Sequence, residues 1–156
     1  MNTLILYATK HGAAREIARR IANRLDDAEI HDLSQSGIPD LAEFDCVVVG
    51  SSVYVGMIRK EAKKYLRQNA ESLKSKTLGL YVSCMDEGGK DTYFKSNFVP
   101  ELLSAAKTTG ILGGVFDPQK AGAIERFIIK VIKKSSAYID LIDDAAIERF
   151  VNDLES

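Results

Sequence analysis

The sequence predicts an α/β domain built as a three-layer sandwich, with a parallel sheet between two layers of helices. Three observations carry that expectation. Short β-rich runs alternate with helix-patterned runs along the chain, as in a sheet whose crossovers are helices. The run Cys46-Val47-Val48-Val49-Gly50 is continuously apolar, which suits a central strand covered on both faces. The 156 residues suffice for one domain, 1–156, with a core that needs no disulfide or metal support.

Strands are expected at 3–8, 28–33, 45–51, 77–83 and 109–116 from their β-branched and apolar content. A helix at 13–24 places Ile17, Ile21 and Leu25 on one stripe, and further helices are expected at 58–69 and 96–106. Between the second and third strands only a short turn of helix fits, at 41–44. After Asp117-Pro118, a segment at 121–134 sets Ile124, Phe127, Ile128, Val131 and Ile132 on one face and Arg126, Lys130, Lys133 and Lys134 elsewhere. It reads as an extra basic amphipathic helix before a final helix at 143–154, where Asp143 and Asp144 suit the positive end of the dipole.

Twenty-one basic side chains nearly cancel 22 acidic ones, leaving a net charge of -1, so bulk charge points to no nucleic-acid partner and any functional charge is local. Two cysteines, Cys46 and Cys84, are too few and too far apart for a disulfide framework or a C-x-x-C redox pair. Two histidines without ligand spacing give no metal site. The chain enters its first strand without a basic leader and cleavage site, and no apolar run approaches about 18 residues, so the expectation is a cytoplasmic protein.

Ligands of open α/β sheets bind beyond the carboxyl ends of the strands, where strand order reverses. The first such loop, Thr9-Lys10-His11-Gly12-Ala13-Ala14, runs straight from a strand into a helix, which aims backbone N–H groups and the helix dipole at one point and makes an anion site. Its glycine spacing is that of neither the dinucleotide fingerprint nor the nucleoside-triphosphate loop. After the third strand come Ser51-Ser52-Val53-Tyr54-Val55-Gly56, and after the fourth Ser83-Cys84-Met85-Asp86 and a glycine-rich stretch. Together they suit a slot for a flat conjugated ring.

The order T-x-x-G-x-x-R-E-I-A, then G-S-S-V-Y-x-G, then S-C-M before a Gly-rich loop resembles the flavodoxin superfamily, and within it the menaquinone-dependent protoporphyrinogen IX dehydrogenases and their flavodoxin-domain relatives. The late segment, Gly114-Val115-Phe116-Asp117-Pro118 followed by Ile124 to Lys130, carries the narrower likeness, because plain flavodoxins pass from the fifth strand directly into the last helix. The resemblance implies a five-stranded sheet in the order 2-1-3-4-5 and an FMN-binding redox domain. Thr9 to Ala14 would hold the phosphate, Ser51 to Gly56 would border the isoalloxazine, and Ser83 to Asp86 would close its other side. Where this chain has Ala14 the family often has a hydroxyl, whose loss would weaken phosphate binding by about 1.5 to 3 kcal/mol unless Lys10, His11 or water compensates.

Each residue also has a plainer role. Thr9 can simply cap the helix, His11 can be a solvated residue at a helix start, and Tyr54 can be an amphipathic tyrosine at a strand end. Gly56 can be a turn glycine, or can let its peptide reorient toward flavin N5 on one-electron reduction. Cys84 has no histidine partner that would make it a catalytic thiol. The cations Arg59, Lys60, Lys63, Lys64 and Arg67 form a solvated helix face or, with those of 121–134, a basic surface for anionic lipid or an acidic partner.

The leading functional expectation is an oxidoreductase that passes electrons from an organic donor, such as protoporphyrinogen, through FMN to a quinone or other acceptor. No acid–base residue is assigned as catalytic, because the flavin carries the chemistry. The alternatives are an electron carrier between protein partners and a binding module that has lost its flavin. The carrier is disfavoured by the near-zero net charge, since carriers of this family are usually acidic. A phosphorylation receiver is excluded because Ala8-Thr9 and Ser51-Ser52 stand where it needs acids.

Overall fold

The computed structural model describes residues 1–84, 89–116 and 139–156. Five parallel strands, β1 (Thr3–Ala8), β2 (Ala28–Asp32), β3 (Cys46–Tyr54), β5 (Thr77–Ser83) and β6 (Ala106–Ile111), lie in the order β2-β1-β3-β5-β6. Numbered by the parallel strands alone, that is the expected 2-1-3-4-5. The intervening β4 (Met57–Ile58) folds back antiparallel on the end of β3. Every residue of β1 is buried, and β3 is buried from Cys46 to Ser52, so neither strand alternates between apolar and polar.

The pleat sends alternate side chains to two cores. Leu4, Leu6, Val47, Val49, Leu78, Leu80 and Val82 meet α2 (Lys60–Gln68), α3 (Ala70–Lys74), α4 (Lys90–Asn97) and α5 (Pro100–Ala105). Ile5, Tyr7, Cys46, Val48 and Tyr81 meet α1 (Ala13–Ala22) and the last helix, α6 (Asp144–Glu155). Asp143 caps α6, its carboxylate accepting from the Ala146 N–H at 2.9 Å.

β3 continues past the expected 51 to Tyr54, so Ser52–Tyr54 are strand rather than loop, and three further elements end elsewhere, each for a local reason. The helix expected at 96–106 is two helices, α4 and α5, because Phe98 and Val99 are extended ahead of Pro100, whose ring excludes the helical conformation from the residue before it. The helix expected at 58–69 starts only at Lys60, since Met57 and Ile58 are spent on the hairpin. The last sheet strand covers 106–111 rather than 109–116. The chain bends at Gly113 (φ +84), where a Cβ would lie 2.0 Å from the Leu141 carbonyl, and β7 (Val115–Phe116) pairs instead with β8 (Ile139–Asp140). The short turn at 41–44 is a 3-10 helix, Leu41–Glu43. The expected helix at 121–134 and the site residues Met85 and Asp86 lie outside the described residues.

Arg20 fastens the returning chain to α1. Its guanidinium bonds Glu16, Asp140 and Asp144, each at 3.1 Å, and Arg24 reaches Asp144 at 3.1 Å.

Burial pushes the Cys46 thiol from its ordinary 9.0 up to about 11, and Tyr65 up to about 12, while Tyr7 and Tyr81 are also raised by burial. Each group loses its proton more readily in the unfolded chain, so the stability it contributes is complete below the unfolded pKa and disappears as pH rises through the folded one. Chemical unfolding is therefore expected to show a flat stability through neutral pH and a fall above about 9, beginning with Cys46. In Cys46→Ala the fall begins instead near 10, with the tyrosines; an unchanged onset would assign it to other groups.

Candidate functional site

The carboxyl ends of β1, β3 and β5 stand side by side: Ala8 is in register with Ser51, and Ser52 with Ser83. The three loops expected to form the site thus leave the sheet at one end, at the point where β1 leads to one side and β3 to the other.

The first loop is shaped by Thr9 and Gly12. The Thr9 hydroxyl accepts from the Gly12 N–H at 2.8 Å, a local turn that leaves Gly12, not Thr9, as the residue preceding α1. Gly12 takes φ +98, and a Cβ there would meet nothing within 4 Å, so the loop opens to space at this point. Among the described residues no side chain caps α1, whose first-turn N–H groups therefore remain available to an anion. Ala13 and Ala14 are buried, and Ala14 packs in the core beneath α1. A side chain at position 14 therefore faces packed neighbours.

The second loop is joined to the first. The Ser52 hydroxyl accepts from the Lys10 N–H at 3.1 Å, and the Lys10 ammonium sits 3.1 Å from the centroid of the Tyr54 ring. Ser51 serves the fold: its hydroxyl donates to the Ser52 carbonyl and accepts from the Arg59 N–H, both at 2.9 Å. Val53 packs on the inner core. Ser52 and Tyr54 are thus the side chains of this segment that meet the first loop, while Ser51 and Val53 serve packing. His11 is half-exposed.

The hairpin between β3 and β4 turns through Val55 (φ +52) and Gly56 (φ +73), two residues between the Tyr54–Met57 pair. Two successive positive φ values mark a type I′ turn, which favours Asn-Gly and strains a β-branched residue. Val55 is 81% exposed, Met57 55% and Tyr54 39%, so an apolar, strained tip stands at the mouth of the site. On the third loop, Ser83 is buried and Cys84 half-buried, and the Cys84 N–H donates to the Gly113 carbonyl at 3.0 Å.

Two residues important to this geometry carried no sequence signal. Tyr81, wholly buried, donates its hydroxyl to the Ala14 carbonyl at 2.7 Å and so fastens the first turn of α1 to the sheet. Asn97, at the end of α4, bonds the Gly56 carbonyl, the Ile58 N–H and the Tyr93 carbonyl at 3.0, 3.0 and 2.8 Å. Both join residues about 40 or more positions apart, and spacing along a chain does not encode such pairs. Among the described residues there is no group of side chains able to hold a metal ion, and no helix is long and apolar enough to cross a membrane.

A model of the flavodoxin domain family matches residues 4–140 of the chain. The protoporphyrinogen IX dehydrogenase [quinone] of Escherichia coli K12 is 26% identical over 151 residues, covering 87% of this chain and 81% of that protein. Among solved structures, a flavodoxin from Streptococcus pneumoniae TIGR4 superposes with a TM-score of 0.58 at 19% identity, over 99% of this chain and 98% of its own. A flavoprotein in complex with FMN from Lactobacillus acidophilus NCFM superposes with a TM-score of 0.50 at 16% identity, over 72% of this chain and 90% of its own.

Val55→Asn should relieve the tip and raise stability by about 1 kcal/mol in denaturant unfolding, because asparagine tolerates positive φ. A loss of stability would show that the valine side chain makes contacts worth more than its strain.

Proposed function

The chain belongs to the flavodoxin domain family, and we propose that within it the protein is an FMN-dependent oxidoreductase that takes electrons from an organic donor and passes them to a quinone or another acceptor. One observation carries the reading: a helix N-terminus that no side chain among the described residues caps, opening at Gly12, is joined through Lys10 to the hydroxyl of Ser52 and the ring of Tyr54. An anion donor set and an aromatic, apolar wall in direct contact are what a phosphate-bearing ring system needs.

The residues fit FMN. The N–H groups of Ala13, Ala14 and Arg15 would take the phosphate, with the Thr9–Gly12 turn holding their loop in shape. Tyr54, Val55, Gly56 and Met57 would border the ring from one side, and Ser83, Cys84, Met85 and Asp86 from the other. FMN, when bound, accepts and returns electrons one or two at a time, and this chain orients it and sets the polarity around it. The apolar tip would keep water from the ring face, and Lys10 would favour negative charge at the nearby edge. Neither cysteine is needed: Cys46 is buried with a raised pKa, and Cys84 belongs to the ring wall.

The named donor of the Escherichia coli relative, protoporphyrinogen, supports a large organic donor here. A cleft of about 340 Å³ between α2 and the α4–α5 turn is lined by Lys63, Arg67 and Asn97, and Asn97 also holds the hairpin. That cleft would offer cations to a carboxylate-bearing donor close to the ring. The basic segment 121–134 would serve a membrane-borne quinone by meeting anionic headgroups.

Purified protein is expected to be yellow and to release FMN on heating, and to oxidise protoporphyrinogen only when a quinone is added. Bound FMN with no turnover, but with electron delivery to a reductase partner, would favour a carrier. A colourless protein that takes up no added FMN would leave a flavin-free binding module. Thr9→Ala should weaken FMN binding about fivefold by freeing the Gly12 turn, as read by fluorescence titration. Unchanged affinity would remove the first loop from the phosphate site.

A further inference from the structure

We propose that Asn97 is a positioning residue that holds the Gly56 carbonyl against α4, withholds it from the flavin, and so makes this protein transfer electrons in pairs. The inference rests on the reading above that the hairpin borders FMN.

Both N–H donors of the Asn97 amide are used, and its oxygen accepts one bond. Nδ2 donates to the carbonyls of Gly56 (3.0 Å) and Tyr93 (2.8 Å), and Oδ1 accepts from the Ile58 N–H (3.0 Å). Two of the three partners are acceptors and one is a donor, so only one orientation of the amide satisfies them all. Gly56 and Ile58 present these groups on the outer edge of the hairpin, away from β3, and Asn97 supplies there what another strand would. Its bond to Tyr93, four residues back in α4, ties the hairpin to a helix.

The consequence for a flavin follows from hydrogen bonding. A flavin that has gained one electron from a reductant and one proton from solvent carries an N–H at N5, which is a new donor. A backbone carbonyl able to turn toward it stabilises that one-electron form relative to the oxidised and two-electron forms. Gly56 puts no side chain in the way of a turn of the Gly56–Met57 peptide: it sits at φ +73, and even a Cβ there would meet nothing within 4 Å, although Met57 is also the ladder partner of Tyr54. Its carbonyl is nevertheless committed to Asn97. Turning it would break that bond, so the one-electron form gains little, and the second electron follows the first. A pure edge-capping role would affect stability alone, whereas the proposal also predicts a change in the one-electron ratio.

The test uses the full chain as wild type, Asn97→Ala and Asn97→Asp. The aspartate keeps an acceptor for the Ile58 N–H while removing the donor to Gly56, so it separates the carbonyl contact from hairpin anchoring. In FMN-free protein, hydrogen exchange at the Ile58 amide should accelerate in Asn97→Ala and not in Asn97→Asp; no change in the alanine variant would overturn the clamp. Each protein is then loaded with FMN, its affinity measured by fluorescence, and titrated anaerobically with dithionite. Wild type should pass to the two-electron form with little long-wavelength absorbance. Both variants should raise the ratio of the one-electron form about five- to tenfold, the equivalent of one released hydrogen bond. Equal ratios in three FMN-binding proteins would overturn the proposal and leave the FMN reading standing. Failure of the wild type to bind FMN would overturn both.

Discussion

The hydroxyl of Tyr81 lies in complete burial and donates to the Ala14 carbonyl, and the position of the site depends on that bond. The ring crosses β3 at Gly50, where even one Cβ would stand 1.9 Å from the ring carbon Cζ, and it meets Phe150 of α6 edge to face at 6.2 Å. One side chain therefore touches the central strand, the first helix and the last. Burial holds the phenol well above its ordinary pKa, so it remains a donor at every physiological pH. A buried phenol without a partner costs about 1 to 3 kcal/mol, and α1 cannot slide along the sheet without incurring that loss. Since the first turn of α1 is also the proposed anion site, core packing and ligand geometry would be one constraint.

The hairpin tip answers to a different rule. A β-branched residue at φ +52, more than four-fifths exposed, gains nothing from core packing, and the fold supports the conformation from outside through Asn97. Stability is contributed beneath the sheet's carboxyl end, whereas the strained turn and the exposed apolar side chains are confined to its rim. That separation lets a site keep an unfavourable local geometry without loosening its scaffold.

Legibility in the sequence followed the range of the interactions. β1 and β3 were legible because a strand buried on both faces is apolar at nearly every position, and the loop from β1 into α1 because strand, small residues and helix are contiguous. The break between α4 and α5 was also local, at Phe98-Val99-Pro100, but the helical periodicity of 96–106 concealed it. Gly56 was legible as a turn glycine, but the tight hairpin was not, because valine at position 55 argues against positive φ and only the pairing of Tyr54 with Met57 forces it. Gly113 ended the last sheet strand through a close approach to Leu141, a neighbour that a strand pattern cannot anticipate. Within the site, sequence located the loops, while the division of labour among Ser51, Ser52, Val53 and Ala14 depended on which way each points from the pleat.

Charge placement bears on what such a site would receive. Among the described residues, Lys10, Arg15, Arg59, Lys60, Lys63 and Lys64 flank the first two loops, with Glu16, Asp32 and Glu61 among them. Around these two loops cations thus outnumber acids, although the net charge of the chain is -1. A carrier that docks on basic partner proteins gains its association rate from an acidic rim, and a basic rim would slow the same encounter. The same field attracts small anions. A basic rim would therefore be better matched to a carboxylate-bearing small donor than to a cationic redox protein, and two cations of α2, Lys63 and Arg67, line the Asn97 cleft.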